Sequence, residues 1–138
     1  MSLSRKRQIQ KKVLENLRMS GYQAALEQAG AQVLVFEQFG DWQGSWVALV
    51  DYQGERGWVQ GSYGSCSHCD AFQADFGWDA EDEDDYEERL ADFGRSYLGA
   101  LQSSASLFEQ FDQDADWDLE SAQAAAYIQH AGQQYGVV

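Results

Sequence analysis

A chain of 138 residues with 44% apolar and 14% aromatic residues carries core-forming material for one domain, which excludes global disorder. Its net charge of −14 is unevenly spread: from residue 19 onward three bases (Arg56, Arg89, Arg95) face 22 acids, so that body repels nucleic acid and anionic membrane and favours a basic partner or a cation. The chain has no Pro and no apolar run near the ~20 residues of a membrane span, and its two Cys three positions apart are not a secreted disulfide framework.

The basic start Met1–Arg7 leads into no apolar h-region, so no signal peptide is expected and a cytoplasmic setting is the default. Residues 4–18 read as a helix, with Ile9, Val13, Leu14 and Leu17 at helical spacing. Arg5, Lys6, Arg7, Lys11, Lys12 and Arg18 fill its other face. That face reads as a solvated helix side, docked on the chain's own acidic surface or free of it. A nucleic-acid arm is the poorer reading, because no aromatic stacking residue is interleaved. Ser20-Gly21-Tyr22-Gln23 has a capping-box pattern and opens a second helical segment to about Ala29, ended by Gly30.

Three strands are predicted next: Ala31–Phe39, Ser45–Gln53 and Trp58–Tyr63. The short connections Gly40–Gly44 and Gly54–Gly57 make them an antiparallel meander. Trp46, Ala48, Val50 and Tyr52 share one face of the second strand, and Val47, Leu49 and Asp51 share the other. Three strands are not stable alone, so helices are expected on at least one face.

After Asp70 the pattern turns helical. Ala71–Phe76 is a short helical turn, broken by Gly77-Trp78. Asp79–Gln102 is predicted as one helix on the spacing of Tyr86, Leu90, Phe93, Tyr97 and Leu101. Ser106-Leu107-Phe108-Glu109 reads as a capping box opening a helix to Phe111 or Asp112. Asp118 is expected to cap a last helix, Leu119–Ala131. The fold class is therefore α+β. A three-stranded antiparallel β-meander (31–63) packs against about four helices in one domain, with a helical segment at 1–30, a Cys loop at 64–78 and an acidic helical part at 79–138.

The Cys loop offers two thiols and an imidazole within four positions: Cys66, His68 and Cys69. Zinc needs four ligands, so Asp70 or the distant His130 would have to complete the set, and no second C-x-x-C is present. Thiol–disulfide exchange would use the dithiol, but this chain lacks the cis-Pro of thioredoxin-like sites. The plain alternative is a Gly/Ser-rich strand-to-helix corner with two small packed thiols. The stretch Ser62-Tyr63-Gly64-Ser65-Cys66-Ser67-His68-Cys69-Asp70-Ala71, together with Asp41-Trp42-Gln43-Gly44-Ser45-Trp46 before it, is similar to a Gly-Ser-Cys-x-x-Cys-Asp-Ala motif that follows a Trp-rich β-meander in small uncharacterised proteins of phages and bacteria. The resemblance covers residues 31–72, with Ser62 in place of a Gly. It implies a phage or mobile-element origin and no particular chemistry.

Two acidic stretches remain. Asp79 to Glu88 holds eight acids in ten residues. On a helix rising ~1.5 Å per residue these charges would fall about every 1.9 Å. Duplex DNA carries one per ~1.7 Å, so the linear densities match. Acids in a first helical turn also suit the helix dipole, but later ones repel each other. The second run, Asp112 to Glu120, has the alternating Asp of a calcium loop. It has Trp117 where the loop needs Gly and Gln123 where it needs Glu.

The chain has no phosphate-binding Gly loop, H-E-x-x-H or G-x-S-x-G. The expected function is a non-enzymatic acidic binding protein that mimics nucleic acid or blocks a host defence. It would engage the basic surface of a nucleic-acid-binding protein through Glu81, Asp82, Glu83, Asp84, Asp85, Glu87 and Glu88. Direct nucleic-acid and membrane contacts are not expected, and a homodimer is an assembly to test for. The alternative is a small zinc or thiol-redox protein built on Cys66, His68 and Cys69.

Overall fold

The computed structural model describes residues 21–40, 44–64, 71–76 and 84–137. The strands are β1 (Gln32–Gly40), β2 (Gly44–Tyr52) and β3 (Glu55–Tyr63), in sheet order β1-β2-β3, each pair antiparallel. The helices are α1 (residues 21–28), α2 (Ala71–Phe76), α3 (Tyr86–Arg95), α4 (Ser104–Asp112) and α5 (Leu119–Gln134). This is the expected α+β meander with helices. The predicted helix over residues 4–18 and the Ser20 cap lie outside the described residues.

Both faces of the sheet are covered. Five consecutive residues of β2, Trp46 to Val50, are wholly buried, as in a strand with apolar layers on both sides. Trp46, Ala48 and Val50 pack with Val59 and Tyr63 of β3, with Tyr22 and Leu26 of α1, and with Leu98. Val47 and Leu49 pack on the opposite face with Phe39, Trp58, Leu107 of α4, and Ala124 and Ile128 of α5. The alternation read in the sequence therefore sorts the two cores correctly.

Local chemistry fixes the element ends. Gly30 ends α1 at φ 104°, with Ala31 N–H donating to Leu26 O and Gly30 N–H to Glu27 O, the paired bonds of a Schellman cap. Gly136 closes α5 the same way at φ 71°, with Val137 N–H on Gly132 O. Gln53 and Gly54 form the β2–β3 turn at φ 52° and 81°, a type I′ geometry that suits the strand twist. That two-residue turn lets β3 begin at Glu55, three residues before the predicted Trp58. Gly61 faces Trp46 across the ladder, and the room its missing Cβ leaves is filled by the Trp46 indole.

Further predicted boundaries are corrected, among them the end of α5, which is Gln134 rather than Ala131. Of the helix expected over Asp79–Gln102, residues 79–83 lie outside the described residues, Asp84 and Asp85 form a turn, and the helix runs from Tyr86 to Arg95. After Arg95 the bonds tighten: Tyr97 N–H reaches Gly94 O and Leu98 N–H reaches Arg95 O. The chain then turns back so that Gln102 exchanges backbone hydrogen bonds with Trp58 at 2.8 and 2.9 Å, which pairs the outer edge of β3. The cap of α4 is Ser103, whose hydroxyl accepts from Ser106 N–H at 3.1 Å, so Ser106 lies inside the helix rather than at its cap.

Candidate interaction surface

The buried side of α3 places its charges. Leu90, Ala91 and Gly94 are buried, and Gly94 lets α3 pack directly on the backbone of α1 at Ala25. Phe76, Phe72, Phe93 and Tyr86 form an aromatic cluster beneath the helix start. With that side filled, Asp84, Asp85, Glu87 and Glu88 are all exposed at one end of the helix. Asp85 stands at the N-cap position, but no side-chain capping bond forms there. Glu87 and Glu88 lie in the first turn, where the helix dipole favours them. Glu81, Asp82 and Glu83, the other residues expected at this surface, lie outside the described residues.

The cations of this body are each held at short range. Arg56 donates Nε and Nη2 to Asp51 at 2.6 and 2.9 Å, and Nη1 to the Tyr135 carbonyl at 3.2 Å, tying the β2–β3 turn to the end of α5. That bidentate pair holds the Asp51 carboxyl below its ordinary value and the Arg56 guanidinium above its own. Arg95 pairs with Asp92 on the same helix. The Arg89 guanidinium lies over the Phe76 ring, 5.2 Å from its centre. Among the described residues no cation pairs with Asp84, Asp85, Glu87 or Glu88.

The second acidic stretch forms the α4–α5 connection. Residues 113–117 are hydrogen-bonded turns, and Asp112, Asp114, Asp116 and Asp118 are exposed. Asp118 caps α5 as expected: one carboxylate oxygen accepts from Glu120 N–H and the other from the Ser121 hydroxyl, both at 3.1 Å. Reasoning from sequence missed the neighbours of these acids. Trp117 is 91% exposed and Leu119 74% exposed. The available signal was an aromatic residue standing alone in an acidic run, outside any helical spacing.

Cys66, His68 and Cys69 lie outside the described residues, and His130 is exposed on α5. Among the described residues no group of three or more His, Cys, Asp or Glu side chains is placed to hold a metal ion. A cleft of about 820 Å³ is lined by Arg56, Asp51, Gln102 and Tyr135, and its guanidinium already donates to Asp51 and Tyr135. A smaller cleft of about 280 Å³ lies between α4 and α5, lined by Phe108, Gln129, Gln133 and Val137. No helix among the described residues is long and apolar enough to cross a membrane. No protein-family model, curated protein or solved structure matches this chain.

Proposed function

We propose that the chain is a non-enzymatic binding protein of the cytoplasm whose acidic surface engages the basic face of a nucleic-acid-binding protein. It would occupy sites that phosphates otherwise fill. The single observation that carries this reading is the sorting of charge. The three bases after residue 19 are committed to Asp51, Asp92 and Phe76, while Asp84, Asp85, Glu87 and Glu88 stand exposed together at the start of α3. Mutual repulsion among neighbouring acids makes that arrangement a cost to the isolated fold, and a cationic partner relieves it. On the motif resemblance of residues 31–72, the chain's setting would be a mobile element, with a host defence protein as the target.

The test is a pull-down from host lysate at low and at molar salt, with the wild type and with Asp84→Lys, Asp85→Lys, Glu87→Lys and Glu88→Lys combined. The wild type should capture a basic protein at low salt and release it at high salt, where the Debye length falls to ~3 Å. The variant should capture nothing and melt within a few degrees of the wild type, since all four side chains are exposed. Capture that survives molar salt, or that the four reversals leave unchanged, rules the reading out.

A further inference from the structure

Trp117 and Leu119 have no structural employment. Trp117 precedes the Asp118 cap, the position from which an apolar residue staples a helix by packing on its fourth residue, here Ala122. An exposure of 91% means that no such staple forms. Trp46 and Trp58, by contrast, are wholly buried. Trp117 and Leu119 are the large apolar side chains left exposed among the described residues, and they stand two positions apart, Trp117 at the end of the α4–α5 connection and Leu119 at the first residue of α5. The backbone beneath them is set: Asp114 O accepts from both Trp117 N–H at 3.1 Å and Asp118 N–H at 3.0 Å, and Ala115 N–H donates to Asp112 O at 3.2 Å. Such a turn carries the indole on backbone that needs little further ordering on binding.

The surroundings choose the occupant. Asp112, Asp114, Asp116 and Asp118 are exposed along the same stretch, and among the described residues no cation pairs with them. A purely apolar partner would strand the carboxylates of Asp112, Asp114 and Asp116, whereas a purely charged one would leave the indole wet. We propose that the α4–α5 connection is an anchor that inserts Trp117 and Leu119 into an apolar cleft bordered by Lys and Arg, that is, into a cationic amphipathic surface of the partner. The indole face also accepts a Lys or Arg directly. Truncating a central Trp anchor of this kind weakens binding by about thirtyfold. This inference rests on the acidic-binder reading and adds the contact that would give it specificity beyond charge.

The experiment uses two synthetic peptides of equal charge: one with Leu and Lys at amphipathic helical spacing, the other with Ser in place of each Leu. The wild-type chain should bind the Leu/Lys peptide at least about tenfold more tightly, with a blue shift of Trp emission. Trp117→Ala should abolish that preference and that shift, Leu119→Ser should reduce the preference, and both should melt like the wild type. Equal binding of both peptides by wild type and Trp117→Ala overturns the anchor and leaves the acidic-binder reading standing. Failure of both peptides to bind the wild-type chain overturns both. Sedimentation that shows a wild-type dimer and a Trp117→Ala monomer makes a second copy the occupant, which also overturns the proposal.

Discussion

Trp58 donates its indole N–H to the Ser104 hydroxyl across 2.7 Å, and both side chains are buried. The bond joins the sheet to the first turn of α4 beneath the paired backbones of Trp58 and Gln102. Ser104→Ala would leave the indole N–H buried without its acceptor. The expected loss of stability is about 1–3 kcal/mol, more than a surface Ser→Ala would give. Urea denaturation checks it, and a double-mutant cycle with Trp58→Phe should show coupling between the two sites, since the phenyl ring has no donor to strand.

The α1–α3 contact depends on the absence of a side chain. A Cβ on Gly94 would run into the Ala25 carbonyl, which is backbone and has no rotamer to give. Gly→Ala within an exposed helix normally gains up to about 1 kcal/mol. Here Gly94→Ala should lose about 1–3 kcal/mol, because α1 must move off α3. Thermal melting settles the sign, and a rise in melting temperature would mean that the helices do not approach this closely.

The sheet was legible in the sequence because its signals are local. Alternation along Trp46 to Val50 acts over a few residues and appears where the pattern places it, whereas the turn expected at Gly54–Gly57 forms tighter and earlier, at Gln53-Gly54. The end of α3 was not legible. Tyr97 and Leu101 continue the helical spacing of Leu90 and Phe93, yet the backbone of Gln102 is taken by Trp58, from another element. A tertiary hydrogen-bond pair thus overrode a good periodicity, and Leu98 reaches the core from a turn instead. The α4 start failed differently. Ser103 and Ser106 both head plausible caps, and the burial of Ser104 against Trp58 selects the earlier one. Of the candidate interaction surface, the exposure of Asp84, Asp85, Glu87 and Glu88 was legible because charge runs stay at the surface. The exposure of Trp117 was not, since composition alone assigns a Trp to the core.

The Gln53-Gly54 turn offers a stabilising change. Gln53 has φ 52°, a region that disfavours side chains with a Cβ and that Asn tolerates best. Gln53→Asn should raise stability by about 0.5 kcal/mol, whereas Gly54→Ala, at φ 81°, should lower it by about 1 kcal/mol. Opposite shifts in the denaturation midpoint at adjacent positions would confirm the type I′ geometry. Shifts of the same sign would contradict it.

The pH dependence has two limbs with identifiable owners. Burial first, and then the charges of Glu37 and Tyr135, push the Tyr127 hydroxyl up from its ordinary 10.0. The fold therefore favours the neutral phenol. Its stabilising contribution is complete below pH 10.0 and is lost as pH rises through the elevated folded value. Tyr127→Phe should flatten that alkaline limb. Asp51 behaves in the opposite sense. Its hydrogen bonds from Arg56 depress it below the ordinary 3.8, so its contribution is complete above that value and is lost as pH falls through the lower folded one. Asp51→Asn should flatten the acid limb and leave the alkaline one unchanged. Both limbs are read as differences between variant and wild-type urea midpoints across the pH range. That comparison removes the general self-repulsion of a chain at −14, which variant and wild type share closely. If Tyr127→Phe altered the acid limb, or Asp51→Asn the alkaline one, the two assignments would fail together, because the groups lie on opposite sides of neutrality and titrate in separate windows.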